Sequence, residues 1–263
     1  MENYIIQEWV YLHLDKQLSH NDIASLYNVN RNTVQRNLSK LGISSINYQN
    51  KINHNILTFD KIDDEESAYW LGFIYADGCI SNDGRFSVGL QHQDYWHLSK
   101  LRDYLMLDTP IYYNKNTKSF KLSTRNKTLV NNLMKLGVIP NKSLILTFPH
   151  SIDNNLIRHF IRGYFDGDGC ISIYNKQMKT KISKIVCISL LGTKEFLDGV
   201  RLYSPIEFGK YVKNNNSENT LVLSTAHKKA YLFIDWLYSD SKIYLDRKFE
   251  KFKKVINMRN GNK

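Results

Sequence analysis

The sequence predicts an α+β fold in which a small all-α domain precedes two similar units. Residues 77–81 (Asp-Gly-Cys-Ile-Ser) recur letter for letter as residues 168–172, 91 positions later. After each copy, segments of strand and helix character follow in the same order, strand-strand-helix-strand-strand-helix. A repeat at this spacing indicates that the chain carries two related units.

The all-α domain is predicted at residues 1–45, as three helices. Ser19, with Asp22 three residues later, is a variant of the capping box and places the start of the second helix. Asn28 stands at the following turn, which needs a residue that tolerates left-handed backbone. Asn30 is placed to cap the third helix. These features resemble a helix-turn-helix of the DNA-binding type.

The third of these helices presents a polar face opposite its apolar stripe. That face carries Arg31, Asn32, Gln35 and Arg36. Arginine reads guanine edges, and asparagine or glutamine reads adenine edges, in the major groove of DNA. We therefore predict that these residues contact DNA; the alternative is a three-helix segment that binds protein or only supports the fold. Residues 46–60 are polar and rich in asparagine, which indicates a linker.

The segments before the repeated residues carry small side chains four positions apart. These are Gly72 and Ala76 in the first segment, and Gly163 and Gly167 in the second. Residues four apart lie on one face of a helix, and a face of small residues lets two helix backbones approach closely. Gly72 and Gly163 are therefore the predicted contacts of a tightly packed helix pair.

Each of these helices should end at the glycine after its acid, because glycine is the usual residue just past a helix C-terminus. Asp77 and Asp168 then lie at neighbouring helix ends, where the dipole disfavours each acid by about 0.3–1 kcal/mol. Their mutual repulsion raises a pKa or requires a cation. Mg²⁺ or Mn²⁺ prefers carboxylate, carbonyl and water ligands. We predict that both carboxylates and the backbone carbonyls of Ala76 and Gly167 bind such an ion; alternatively, Asp-Gly merely closes a helix in a duplicated domain.

Residues 71–78 (Leu-Gly-Phe-Ile-Tyr-Ala-Asp-Gly) and 161–169 (Ile-Arg-Gly-Tyr-Phe-Asp-Gly-Asp-Gly) resemble the signature of the LAGLIDADG family of homing endonucleases. The first copy departs from the signature at Tyr75, where the family has an earlier acid. The second copy carries Arg162 inside the helix, and its side chain is expected to point away from the helix pair. The resemblance covers about residues 56–255.

The resemblance implies a single chain that mimics a two-fold symmetric dimer. Each half, at residues 61–150 and 151–263, would have the order αββαββα. The two units would be related by a pseudo-two-fold axis, and their strands would form a saddle that lies in the major groove of DNA.

The family also places a basic residue in each active site, beside the acids Asp77 and Asp168. Lys142 and Lys242 follow the last helix of the first and second half, and the resemblance makes them the candidates for stabilising the transition state. In the second half, Arg247 or Lys248 is an alternative to Lys242. The alternative is that either lysine is an ordinary surface residue without a role in catalysis.

Basic residues along the predicted strands are further candidates for DNA contact. A two-stranded ribbon fits the major groove, and most lysines on it would contact phosphate without reading sequence. The net charge is +11, and residues 151–263 hold 20 Lys and Arg against 11 Asp and Glu. Such an excess favours a polyanion, although it is also compatible with a solvated basic face. The candidates are Arg85, Lys115, Lys121, Arg125, Lys176, Lys181, Lys184 and Lys210.

The composition excludes several classes of protein. Hydrophobic residues make up 42% of the 263 residues, which excludes disorder. No run of 18 apolar residues exists, so no membrane association is expected. The N-terminus also lacks a basic segment followed by an apolar one, so no signal peptide is expected. Three cysteines without CxxC spacing argue against a disulfide framework and a zinc site. We expect a cytoplasmic monomer of a bacterial, phage or organellar host.

Together these observations predict a site-specific DNA endonuclease that makes a metal-dependent double-strand break in a long target site. Two alternatives use the same fold: a transcription regulator that binds DNA without cutting, and an RNA-binding factor that assists intron splicing. An intein is disfavoured, because the chain opens with Met1 and ends with Gly261-Asn262-Lys263, without splice-junction residues.

Overall fold

A computed structural model describes residues 3–14, 18–41, 43, 59–177, 182–213 and 220–261. Lys181 and residues 46–58 of the predicted linker lie outside the described residues. Within the described ranges, no helix combines the length and the apolar composition that crossing a bilayer requires.

The N-terminal region is helical and consists of α1 (Asn3–Leu14), α2 (His20–Leu26) and α3 (Arg31–Lys40). Ser19 and Asp22 form the predicted capping box at the start of α2. The side chain of Asn30 caps α3 by accepting a hydrogen bond from the backbone N–H of Asn32. Asn28 lies in the left-handed region, with φ of 53°. The local signals in the sequence therefore place these helices correctly.

The first half consists of α4 (Glu65–Asp77), β1 (Gly78–Ile80), β2 (Phe86–Gln91), α5 (Tyr95–Tyr104), β3 (Tyr112–Asn114), β4 (Ser119–Thr124) and α6 (Lys127–Lys135). Its strands form a sheet in the order β1-β2-β4-β3. Along β4, Phe120 and Leu122 are buried while Lys121 is exposed. Because side chains alternate across a strand, β4 packs one face on the core and presents the other to solvent.

The second half consists of α7 (Asn154–Asp168), β5 (Gly169–Gln177), β6 (Ile182–Gly192), α8 (Lys194–Tyr203), β7 (Val212–Lys213), β8 (Leu221–Ala226), α9 (His227–Tyr238) and α10 (Asp246–Gly261). Its sheet has the order β5-β6-β8-β7, the same as in the first half. The predicted α+β fold with two similar units is thus confirmed. Strand β7 is only two residues long, and α10 lies beyond the repeated elements.

The chain divides into two compact units. One unit comprises Met1–Leu57 and Ser87–Thr124, and the other comprises Thr58–Phe86 and Arg125–Lys263. In the first unit, the buried Asp22 of α2 forms an ion pair with Arg102 of α5 at 2.9 Å. Asp22 also accepts a hydrogen bond from the backbone N–H of Ile111, 3.3 Å away, next to β3. The N-terminal helices therefore pack on elements of the first half.

In the second unit, α4 and α7 cross with their backbones in contact. A Cβ atom added to Gly72 would lie 1.9 Å from the carbonyl oxygen of Phe160, and one added to Gly163 would lie 1.9 Å from that of Tyr69. These distances are far shorter than any non-bonded contact allows. The approach of the two helices therefore requires glycine at both positions.

Helices α4 and α7 end at Gly78 and Gly169, as predicted, but for a different reason. Both glycines have extended backbones, with φ of −75° and −85°, not the left-handed conformation that usually favours glycine at this position. A Cβ on Gly78 would lie 2.5 Å from the carbonyl oxygen of Ile74, and one on Gly169 would lie 2.5 Å from that of Phe165. Glycine is required here because the chain passes close to the last helical turn.

The expectation that Arg162 points away from the helix pair is wrong. The residue is fully buried, and its guanidinium donates to Glu65 on α4 at 2.6 Å. It also donates to the carbonyls of Leu237 and Ile243 at 3.1 and 3.0 Å. A buried charge is tolerated only when it is paired and hydrogen-bonded, and Arg162 meets that condition by joining α4, α7 and the end of α9.

Candidate active site

Asp77 and Asp168 are the last residues of α4 and α7, and the crossing of these helices brings the two ends together. A Cβ on Gly167 would lie 2.3 Å from the Cβ of Ala76 and 3.0 Å from the Oδ2 of Asp77. Asp77 is half-buried and Asp168 is exposed. Both acids are therefore accessible from solvent at the junction of the helices.

The two acids share an unfavourable electrostatic environment. Burial, together with the neighbouring charge of Asp168, raises the pKa of Asp77 from 3.8 to about 6. Desolvation by the surrounding protein also raises the pKa of Asp168, even though the residue as a whole is exposed. Lys248, Lys142 and Arg247 act in the opposite direction on Asp77 but do not cancel the effect. A cation at this position would be strongly favoured.

Two buried lysines flank the acids, one on each side. The Nζ of Lys142, in a short 3₁₀ turn after α6, donates to the carbonyl oxygen of Ala76 at 3.1 Å. The Nζ of Lys248, in the first turn of α10, donates to the carbonyls of Phe165 and Gly169. Burial lowers the pKa of Lys142 and lowers that of Lys248 to about 8. Each lysine thus places an amine beside the end of one motif helix.

Lys242 lies elsewhere. Its side chain is exposed, and its backbone N–H donates to the Oε1 of Glu65 at 2.8 Å. Glu65 is the first residue of α4 and Asp77 is the last, and a rise of 1.5 Å per residue separates them by about 18 Å. The second basic residue near the acids is therefore Lys248, which the sequence left open as an alternative.

Asp166 occupies the signature's earlier acid position and belongs to the core. It is fully buried and accepts hydrogen bonds from the hydroxyl of Tyr69 at 2.7 Å, from Tyr238 and from the backbone N–H of Leu245 at 2.7 Å. Leu245 in turn accepts a hydrogen bond from the N–H of Lys248. Asp166 thus holds the start of α10, so it positions Lys248. In the first half, Tyr75 stands at the equivalent position.

A divalent cation fits this arrangement. Among the described residues, no three or more His, Cys, Asp or Glu side chains gather as a metal site. The ligands would therefore be the carboxylates of Asp77 and Asp168, completed by backbone carbonyls, water and substrate. Mg²⁺ is commonly bound in this manner, through one or two carboxylates and substrate phosphates. The raised pKa of both acids supports the same conclusion, because each carboxylate lacks a sufficient counter-charge.

The predicted DNA-binding residues lie mostly at the surface of their own units. In the first unit, Arg31, Asn32, Arg36, Lys115 and Lys121 are exposed and Gln35 is half-buried. In the second unit, Arg125, Lys176, Lys184 and Lys210 are exposed, and Arg85 is half-buried. Arg85 and Arg125 both pair with Asp83, at 3.7 and 2.7 Å, so these two arginines already share an acid.

Replacing Asp77 by asparagine should make the folded protein more stable above pH 6. Because its folded-state pKa of about 6 exceeds the ordinary 3.8, the folded protein binds more protons between these values, and its stability falls as pH rises through them. Asp77→Asn removes that loss, a gain of about 1–2 kcal/mol at pH 7.5 after allowance for solvent screening, and no gain below pH 3.8. Urea unfolding at both pH values measures the difference.

Asp198→Asn is the matched control for this charge change. A hydrogen bond from Lys194 lowers the pKa of Asp198. Asp198→Asn should therefore destabilise the protein slightly at neutral pH, whereas Asp77→Asn should stabilise it. Equal effects of the two substitutions would contradict the electrostatic account of Asp77.

These features define the fold of the LAGLIDADG homing endonucleases, in agreement with the resemblance in the sequence. Residues 155–209, which include all of α7 except Asn154, match the family described as a LAGLIDADG-like domain. The crystal structure of the I-LtrWI LAGLIDADG homing endonuclease bound to target DNA superposes with a TM-score of 0.55 at 14% identity, covering 75% of this chain and 92% of that one.

Two further structures are similar to the same degree. I-SmaMI, bound to an uncleaved DNA target in the presence of calcium ions, gives a TM-score of 0.55 at 13% identity, over 76% of this chain and 93% of that one. The LAGLIDADG meganuclease I-AabMI, bound to uncleaved DNA, gives 0.52 at 15% identity, over 76% and 92%. At these identities the likeness establishes the fold alone.

One protein with a similar sequence is named as an RNA polymerase subunit and not as an endonuclease. DNA-directed RNA polymerase subunit Rpo1C of Methanocaldococcus jannaschii is 24% identical over 205 residues. The match covers 76% of this chain but 22% of that protein, so the chain spans about a fifth of the relative's length. The polymerase name therefore describes a much larger protein than the part that is similar.

Proposed function

We propose that this chain is a site-specific DNA endonuclease that requires Mg²⁺ or Mn²⁺ and cuts both strands of a duplex. The observation that carries the proposal is the pair of solvent-accessible acids, Asp77 and Asp168, held at the abutting ends of α4 and α7. A protein that only bound nucleic acid would gain nothing from two neighbouring acids whose pKa values are both raised. Because one chain supplies both acids, the proposed enzyme acts as a monomer.

In this proposal each residue at the helix ends has a distinct task. Asp77 and Asp168 would hold the cation, which would supply Lewis-acid activation of water and neutralise charge on the phosphate. Lys142 and Lys248, each hydrogen-bonded to the end of a motif helix, place positive charge where the transition state becomes more negative. Asp166 positions Lys248 through the start of α10.

The test begins with selection of cleaved sites from a random DNA library in the presence of Mg²⁺, because the target sequence is not known. A supercoiled plasmid that carries the selected site should be linearised with Mg²⁺ or Mn²⁺ and remain intact with EDTA. Binding of a selected duplex without cleavage under either metal would favour the regulator instead. Binding of structured RNA in preference to duplex DNA would favour the splicing factor.

Lys248→Met should lower the cleavage rate about 100-fold, because a preorganised electrostatic stabiliser is removed from the site. Lys242 lies at the other end of α4, whose two ends are about 18 Å apart, so Lys242→Met removes the same charge outside the site and should leave the rate unchanged. Single-turnover rates on the selected site measure the difference, and urea unfolding of Lys248→Met excludes a loss of folding. A slow Lys242→Met beside a fast Lys248→Met would reverse the assignment.

A further inference from the structure

In the first unit, the N-terminal helices and the first sheet share a polar groove. One wall comes from α2, the turn after it and the start of α3, and the other comes from β3 with the residues on either side of it. The principal polar groups along it belong to Asn28, Asn30, Arg31, Tyr112, Tyr113 and Lys115. Of the described residues that line the groove, none carries an acidic side chain.

The groove continues onto the exposed face of the sheet. Tyr112 is 61% exposed and pairs in register with Lys121 on β4, whose side chain is also exposed. Tyr112 therefore belongs both to the groove and to the sheet face. Amide, hydroxyl, ammonium and guanidinium groups in this arrangement donate hydrogen bonds to phosphate oxygens, and their net positive charge favours a polyanion.

The two walls of the groove are fixed to each other by Asp22. This acid is 1% exposed, completes the cap of α2, pairs with Arg102 of α5 and accepts a hydrogen bond from Ile111 beside β3. A buried pair with extra hydrogen bonds resists separation, because breaking it leaves an uncompensated charge in the core. The same contacts keep the carboxylate out of the groove.

We propose that α3 and the β3–β4 face bind one DNA duplex as a single rigid surface, with the backbone of the DNA passing along the groove. Asp22 then sets a fixed spacing between the base pairs contacted by α3 and those contacted by the sheet. The proposal rests on the proposed DNA target and extends it. It differs from a tethered helix-turn-helix, which would tolerate changes of spacing.

The groove is tested first, by equilibrium binding to the selected duplex at several salt concentrations. Arg31→Ala and Lys115→Ala should each weaken binding and lower the slope of log K against log salt by about 0.9. Lys194→Ala, an exposed lysine on α8, is the matched control and should leave the slope unchanged. If both groove variants behave like Lys194→Ala while the duplex is still cleaved, the groove is not a DNA site and only this inference fails.

Rigidity is tested with wild-type protein and duplexes that carry 5 or 10 extra base pairs between the segments protected by α3 and by the sheet. A rigid surface loses the α3 contacts with either insertion, so affinity falls as far as in an Arg31→Ala, Asn32→Ala double variant. Unchanged affinity with the 10-base-pair insertion, which restores the helical phase, would overturn the rigid surface.

Asp22→Asn should restore tolerance of the 10-base-pair insertion, whereas Glu250→Gln, an equal charge change in the exposed pair with Lys253, should not. Circular dichroism verifies that α1–α3 remain folded in Asp22→Asn. Failure of the wild-type protein to bind any duplex would refute the proposed function as well, which separates the two failures.

Discussion

Asp77→Asn and Asp168→Asn should each lower the rate of double-strand cleavage about 1000-fold or more, because loss of a metal-binding carboxylate removes several kcal/mol of transition-state stabilisation. Binding of the uncut site should persist, since neither acid attracts a polyanion. Single-turnover cleavage of a supercoiled plasmid, with nicked and linear products separated on a gel, measures the effect. Gel-shift titration of the same variants measures binding.

The appropriate control is Asp198→Asn, an exposed acid paired with Lys194 on α8, which should cleave at the wild-type rate. Asp166→Asn provides a second comparison: the residue is buried and positions Lys248, so cleavage should fall with a loss of stability. Full cleavage by the Asp77→Asn, Asp168→Asn double variant would falsify the assignment of both acids. Retained nicking in one single variant would indicate two unequal sites.

Local signals in the sequence sufficed for much of the fold. The caps at Ser19 and Asn30 are set by residues two or three positions away, and the ends of α4 and α7 are set by Asp-Gly pairs. The duplicated strand order follows from patterns within short segments. The proximity of Asp77 and Asp168 could also be predicted from the sequence, because matching glycines place the same face of both helices in contact.

What the sequence could not provide depends on contacts between distant residues. Lys248 reaches the site because Asp166 fixes the start of α10. Asp166 accepts a hydrogen bond from the backbone N–H of Leu245, which lies 79 residues later in the chain. The spacing of Phe249, Phe252 and Val255 was a helical signal that would have indicated α10, but not where it docks. Asp22 and Arg102, 80 residues apart, likewise join the N-terminal helices to α5 through a pairing that no local pattern encodes.

Gly163→Ala and Gly72→Ala should be the two most destabilising glycine-to-alanine substitutions in the motif helices α4 and α7. Each added Cβ would lie 1.9 Å from a backbone carbonyl oxygen of the other helix, and a backbone atom cannot move aside as a side chain can. Overpacking costs typically about 1–3 kcal/mol, and we expect about 3 kcal/mol or more here, a decrease in Tm of about 10 °C. Differential scanning calorimetry measures this change.

Gly209→Ala is the matched control, because no atom of the described residues lies within 4 Å of the added Cβ; its Tm should stay unchanged. A glycine-to-alanine change by itself tends to stabilise by restricting the unfolded chain, so a fall in Tm at Gly163 must come from the helix contact. If the Gly163→Ala variant folds with α4 and α7 further apart, Asp77 and Asp168 are separated as well. The cleavage rate should then fall more than the loss of stability alone would explain. A Gly163→Ala variant as stable and as active as Gly209→Ala would mean that the helices do not abut, and the paired acids would lose their structural basis.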